Sequence, residues 1–282
     1  MHRFATERAQ LKVRNAAGEV AVETADVAET TVELVPLNDS DSTRLAIEQA
    51  RIEARGDEIL VELEGRGGFT VSIGDWAIGR APKVGVRIRC PYGSDLDCNT
   101  ASADVTATGR LGDVSVKTAS GDVSLPHVGG RLDAKTASGD VSVAQVDGRA
   151  AVHTVSGEID VGEAHDRVSV NAVSGDVVVG AAGGDVDVTT ISGDHDVRAA
   201  GPGEVRLKAV SGDVALALRP GLRIRFDVGS LSGSIHSDLP VGDEAAASDA
   251  PTCDVRIRTT SGDVRIGRAQ SSASESSRIA LA

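Results

Sequence analysis

The chain is nearly without aromatic residues: one Trp, one Tyr and three Phe make up 2 % of its 282 residues, and Met occurs once. So few rings leave no material for the aromatic and basic grooves in which polysaccharide lyases built on parallel strands hold their substrates. Cysteine is scarce too. Cys90, Cys98 and Cys253 are odd in number and lack Cys-x-x-Cys spacing, which excludes a disulfide framework and gives zinc no ligand set. Base is outnumbered, 29 Lys and Arg against 42 Asp and Glu for a net charge of −13, so nucleic acid and anionic membrane are excluded as general partners. No run of eighteen apolar residues is present, and Met1 to Arg8 has no apolar core of the kind a secretory signal needs. The expected compartment is the cytoplasm, and no membrane span is expected.

What the chain has instead is repetition. Aligned on Ser102, Ser120, Ser138, Ser156, Ser174, Ser192, Ser211, Ser232 and Ser261, the phrase Ser-Gly-Asp-Val returns with steps of 18, 18, 18, 18, 18, 19, 21 and 29 residues. A constant period marks stacked units that bury one another's apolar faces. Two, four and six positions before each serine the residues are small or apolar, as in Thr118, Val116 and Val114 or Thr190, Val188 and Val186. Three and five positions after it they are apolar again, as in Val123 and Leu125 or Val141 and Val143. Period two on both sides gives two strands with one face inward.

Between the strands, Gly121-Asp122, Gly139-Asp140, Gly157-Glu158, Gly175-Asp176, Gly193-Asp194, Gly212-Asp213 and Gly262-Asp263 form the corner. Glycine supplies a conformation closed to most residues, and Ser and Asp bond local backbone groups. The predicted fold is all-β, a single-stranded parallel β-solenoid (β-helix) of about 18 residues per turn, expected to be right-handed. Residues 94–267 form the solenoid, with an excursion near 240–252. Residues 1–93 form a β-rich N-terminal region of divergent rungs or cap. In it Ala17 takes the place of the serine, strands are expected at 31–35, 59–63, 69–73 and 84–90, and Ser40 to Ala50 suggests one short helix. Residues 268–282 are expected to be a disordered tail.

Three columns could carry function. The acidic corner column, one carboxylate per rung, is accounted for by local bonds to backbone N–H groups; calcium would want six to eight oxygens. The column three before the serine (Lys117, Lys135, His153, Asn171, Thr189, Lys208, Arg258) is only partly basic and reads as a solvated face. The column immediately before the serine runs Ala101, Ala119, Ala137, Val155, Val173, Ile191, Val210 and Leu231. Either the corner begins one residue early and turns it inward, or the rod carries an exposed contact stripe at Val155, Val173, Ile191, Val210 and Leu231. His195 lies in an inward column; His127, His153, His165 and His236 are scattered. No catalytic, cofactor-binding or metal-binding residue set emerges, and the chain is expected not to be an enzyme.

Repeated Ser-Gly-Asp-Val-x-Val, introduced by Ala101-Ser-Ala-Asp-Val105, resembles the bacterial family of β-strand-repeat proteins of unknown function labelled "putative adhesin". The resemblance covers Val84 to Ile266 and implies a β-solenoid with a β-rich N-terminal part. The resulting expectation is a non-enzymatic intracellular scaffold or protein-interaction module, with an unidentified protein partner or self-association. One alternative is a polymer-forming β-helix of cytoskeletal type, and a second is a surface adhesin exported by an unrecognised route.

Overall fold

A computed structural model describes residues 1–63, 82–239 and 250–269. The chain coils as a parallel β-solenoid. Strand Leu132–Lys135 lies in register on Val114–Lys117 and beneath Ala150–Ser156, each pairing offset by 18 residues. On the other side of the corner, Val123–Val128, Val141–Val146, Ile159–Ala164 and Val177–Ala182 stack with the same offset. Each rung leans on identical columns above and below, so the core is a set of apolar ladders. Val116, Ala134, Val152 and Val188 are fully buried, and Val123 and Val141 nearly so.

A third inward column follows a bend after the second strand: Leu111, Val128, Val146, Ala164, Ala182, Ala200 and Leu218 are all sealed. Strict alternation from Val123 and Leu125 would place Val128 outside, which is why the sequence pattern missed it. The three cysteines are buried and unpaired, acting as small apolar fillers. Burial pushes their thiols up to about 11 for Cys90 and Cys253 and about 12 for Cys98.

The rungs are not stacked in chain order. Thr252–Ser261 pairs on one side with Gly203–Ser211 and on the other with Arg223–Ser232. Val264–Arg268 likewise sits between Val214–Leu218 and Ile235–Ser237. The last rung in sequence is therefore the last but one in space. The two long serine steps now have a cause: the three extra residues before Ser232 let the chain step over one rung position, and the longer return brings it back to fill the gap. The N-terminal end shows the same plan. Gln10–Ala25 is sandwiched between Asp95–Thr108 on one side and Glu58–Leu63 with Val84–Pro91 on the other, with Ala17 opposite Ser102.

Beyond that pair, the N-terminal end is closed by antiparallel strands. Arg51–Arg55 pairs with Glu58–Leu63, Glu29–Pro36 with Val84–Pro91, and His2–Ala5 with Glu29–Pro36. One helix, Asp41–Glu48, packs there, its first turn capped by Ser40, whose Oγ accepts from the Thr43 N–H at 3.2 Å. The strand expected at 69–73, most of the excursion near 240–252 and the tail from 270 lie outside the described residues. The final strand runs to Arg268.

Candidate functional site

The corner sets what the rod shows to solvent. Gly175 has φ +134°, and a Cβ there would meet the Gly157 carbonyl oxygen of the neighbouring rung at 2.1 Å. Gly121 needs no left-handed backbone, yet its Cβ would lie 2.1 Å from the Ala103 carbonyl oxygen, so stacking alone demands glycine. The aspartates that follow form a ladder. Asp122 N–H donates to Asp104 Oδ1 at 3.1 Å, Asp140 to Asp122 at 3.0 Å and Glu158 to Asp140 at 2.8 Å. Asp194 donates to Asp176 at 2.8 Å and Asp213 to Asp194 at 2.7 Å. The ladder then follows spatial order, from Asp263 N–H to Asp213 at 2.8 Å and from Ser234 N–H to Asp263 at 2.8 Å. Each aspartate of the ladder thus commits one carboxylate oxygen to the next rung's amide, whereas Glu158 does not. Serine replaces aspartate at position 234 in the outermost rung, where no described rung follows.

The residue before each serine projects outward, and so does the serine. Val155, Val173, Ile191 and Val210 are 52, 42, 52 and 51 % exposed. This corrects the alternative in which an early corner turns the column inward. The backbone of this column bonds between rungs. The carbonyl of the stripe residue accepts from the serine N–H of the next rung, as in Ser192 to Val173 at 2.9 Å and Ser211 to Ile191 at 2.8 Å.

Spatial order also revises the stripe's end. Thr260 stands between Val210 and Leu231, because its neighbours Thr259 and Ser261 pair with Ala209 and Ser211 on one side and with Ser230 and Ser232 on the other. Four contiguous branched side chains remain, spaced about 4.8 Å apart and so spanning roughly 14 Å. Exposed Ala137, Ala119 and Ala101 extend the line toward the capped end. Leu231, 84 % exposed, belongs to the terminal rung. The acidic ladder borders the stripe on one side. The column with Lys135, His153, Asn171 and Lys208, all exposed, borders it on the other.

Two histidines that look scattered in the sequence meet at the second corner. His127 Nε2 lies 3.0 Å from Asp147 Oδ2, and His165 Nδ1 lies 3.1 Å from Asp147 Oδ1. Arg110 Nη2 and Gln145 Nε2 also donate to Asp147, at 2.9 and 3.0 Å. The His127 hydrogen bond is the main reason that the Asp147 carboxyl is held below its ordinary range. A spacing of one turn between Asp147 and His165 was the available signal. His195 is different. It is buried in the column of Val177 and Val214, with Nε2 bonded to Thr190 Oγ1 at 2.7 Å and Nδ1 without a partner. Burial lowers its pKa to about 4 against the weaker pull of Asp194 and Asp176, so it is neutral. Among the described residues, no group of three His, Cys, Asp or Glu is placed to hold a metal ion, and no helix is long and apolar enough to cross a membrane. The strongly shifted groups, His195 and the thiols, are sealed in the core away from any substrate.

Comparison with known proteins follows the same outline. The model of the Toastrack DUF4097 family matches residues 9–267. Among solved structures, the chain is similar to a protein of Bacteroides fragilis described as a "putative adhesin", with TM-score 0.50 and 11 % identity over 94 % of this chain and 95 % of that one. A "putative adhesin" of Parabacteroides distasonis gives TM-score 0.42 and 13 % identity over 94 and 95 % of the two chains. Another, from Parabacteroides merdae, gives 0.40 and 11 % over 94 % of each. At 11 % identity the likeness to the Bacteroides fragilis protein concerns the fold alone. No curated protein matches the chain.

Proposed function

Because the chain belongs to the Toastrack DUF4097 family, and because its surface offers a line of apolar side chains, we propose that it is a non-enzymatic binding module, a rod that meets a protein partner along the stripe. The observation that carries this reading is the exposure of Val155, Val173, Ile191 and Val210 in four successive rungs. Singly exposed apolar residues are ordinary, whereas a continuous line of them is the mark of a contact surface. The corner geometry holds their backbones rigid, so little ordering is lost when a partner docks. The flanking carboxylates favour a partner segment that is apolar on one face and basic along one edge. We infer a cytoplasmic scaffold role from the three unpaired thiols; the names of the structural neighbours support adhesion as the alternative should the chain be exported.

The test is a paired substitution, Val173→Asp with Ile191→Asp, compared with Asp160→Lys, which changes an exposed residue on the other sheet. The stripe variant is expected to keep the wild-type circular dichroism and melting temperature while losing whatever partner wild-type protein retains from its native host. Retention unchanged in the stripe variant and lost in the Asp160 variant would overturn the reading.

A further inference from the structure

The two ends of the rod are unlike. The N-terminal end is covered by antiparallel strands and a helix, but the described residues leave the C-terminal end open. Arg223–Ser232 and Ile235–Ser237 pair with the rung before them, and among the described residues nothing pairs with their outer edges. Among the described residues, nothing covers the core ladders there. Phe226 and Val228 stand in register with Val255 and Ile257, which are 1 and 0 % exposed, yet Phe226 itself is 46 % exposed and Ile235 is 49 % exposed. A strand edge with apolar side chains beside it is a template for another strand.

We propose that a second copy of this chain occupies this edge, joining two rods end to end across a two-fold axis. Such an axis, perpendicular to the rod and to the outermost strand, lays Arg223–Ser232 antiparallel to its own counterpart, so that sheet continues across the junction. The sequence of the edge selects one register. Inward residues must face inward residues, which restricts the centre of symmetry to Ile224, Phe226 or Val228 if inward side chains are to meet on the axis, or to the outward positions between them. Centring on Arg225 or Asp227 sets like charges against each other, centring on Ile224 sets Arg223 against Arg225, and centring on Val228 sets Arg225 against Leu231 and Phe226 against Ser230. Centring on Phe226 places Arg225 opposite Asp227 of the other copy, twice, and Ile224 opposite Val228 over the joined core. Ser234 fits this end as well. Every earlier member of the ladder that carries aspartate offers an acceptor to a parallel rung, and an antiparallel partner has no use for it. Because the other end is capped, the assembly closes at two chains and does not grow into a filament.

The experiment is sedimentation velocity of the full chain across a wide concentration range, alongside a chain ending at Ala269 and the variants Phe226→Asp and Phe226→Cys. The expected result is an elongated species of twice the mass of one chain, 28.8 kDa for the full chain, for the full and shortened chains alike. Dissociation should be at least about tenfold easier for Phe226→Asp. Phe226→Cys should give a disulfide-linked dimer on mild oxidation, since residues facing across antiparallel strands have Cα atoms about 4.5–5.5 Å apart, within disulfide reach. Leu231→Cys, which this register sets opposite Gly221, should not crosslink. A monomer at all concentrations, or growth beyond two chains, would overturn the proposal. A full chain that is monomeric while the shortened one pairs would assign the edge to residues 270–282. Crosslinking at Leu231 and not at Phe226 would overturn the register and with it the proposed interface.

Discussion

His195 puts the physics of this core at its plainest. An imidazole replaces valine in a ladder otherwise made of Val177 and Val214, and it fits because the rungs flanking Thr190 carry the small Ala172 and Ala209 in the adjoining column. Its pKa falls from 6.5 to about 4 on burial. A depressed histidine pKa means that the unfolded chain takes up a proton first, so its contribution is complete above pH 6.5 and is lost as the pH falls toward 4. Wild-type protein should lose about 2–3 kcal/mol more stability between pH 7.5 and pH 4.5 than His195→Val does; denaturant midpoints at the two pH values measure it, and parallel behaviour of the two proteins would contradict it. At the corner, Asp140→Ala removes the acceptor for the Glu158 N–H and should cost about 1 kcal/mol, while Asp140→Asn, which keeps an oxygen there, should cost less. Gly175→Ala should cost about 3 kcal/mol or more, because it combines a positive φ with a Cβ driven into the neighbouring backbone. The corner itself was legible in the sequence because it recurs at a fixed period; the sequence reading assigns its carboxylates local bonds within the turn, whereas the aspartates reach the amide of the next rung. The meeting of His127, Asp147 and His165 was not, since a stack brings together residues 18 and 20 apart that no local motif connects.

At the scale of the element, the ladders were readable and their order was not. Period-two apolar residues on each side of Ser-Gly-Asp define two strands, and the structure has them. The same columns recur in every rung, however, so any rung fits any position, and nothing in Thr252–Ser261 announces that it slots between Gly203–Ser211 and Arg223–Ser232. Only the irregular serine steps hinted at it. Seating the first and last rungs one place inside the ends means that neither is an edge, so opening either must break two ladders. A chain ending at Leu239 removes Thr252–Ser261 and Val264–Arg268, the strands on which the outermost rung rests. Hydrogen exchange in that chain should show protection lost throughout 223–237 and kept in 114–200. Protection retained at 223–237 would mean that the outermost rung holds on by other contacts.

As a whole molecule, the protein is a narrow rod whose composition follows from its cross-section: two facing sheets with one corner of small residues leave space for Val, Ala, Leu and Ile and little for rings. Its acidity resides partly in the corner ladder, where each aspartate supports the next rung. Part of its apolar exposure resides in the stripe, and the stripe is the feature on which the functional reading stands. The measurement that tests it most directly is a photo-crosslinking residue moved in turn through positions 187, 189, 191, 196 and 198 of the full chain in its native host. The account predicts a sharp maximum in yield at position 191, in place of the stripe isoleucine, with little at 187 and 189 on the sheet face or at 196 and 198 beyond the corner. Equal yields at all five positions, or a maximum at 196 or 198, would contradict it.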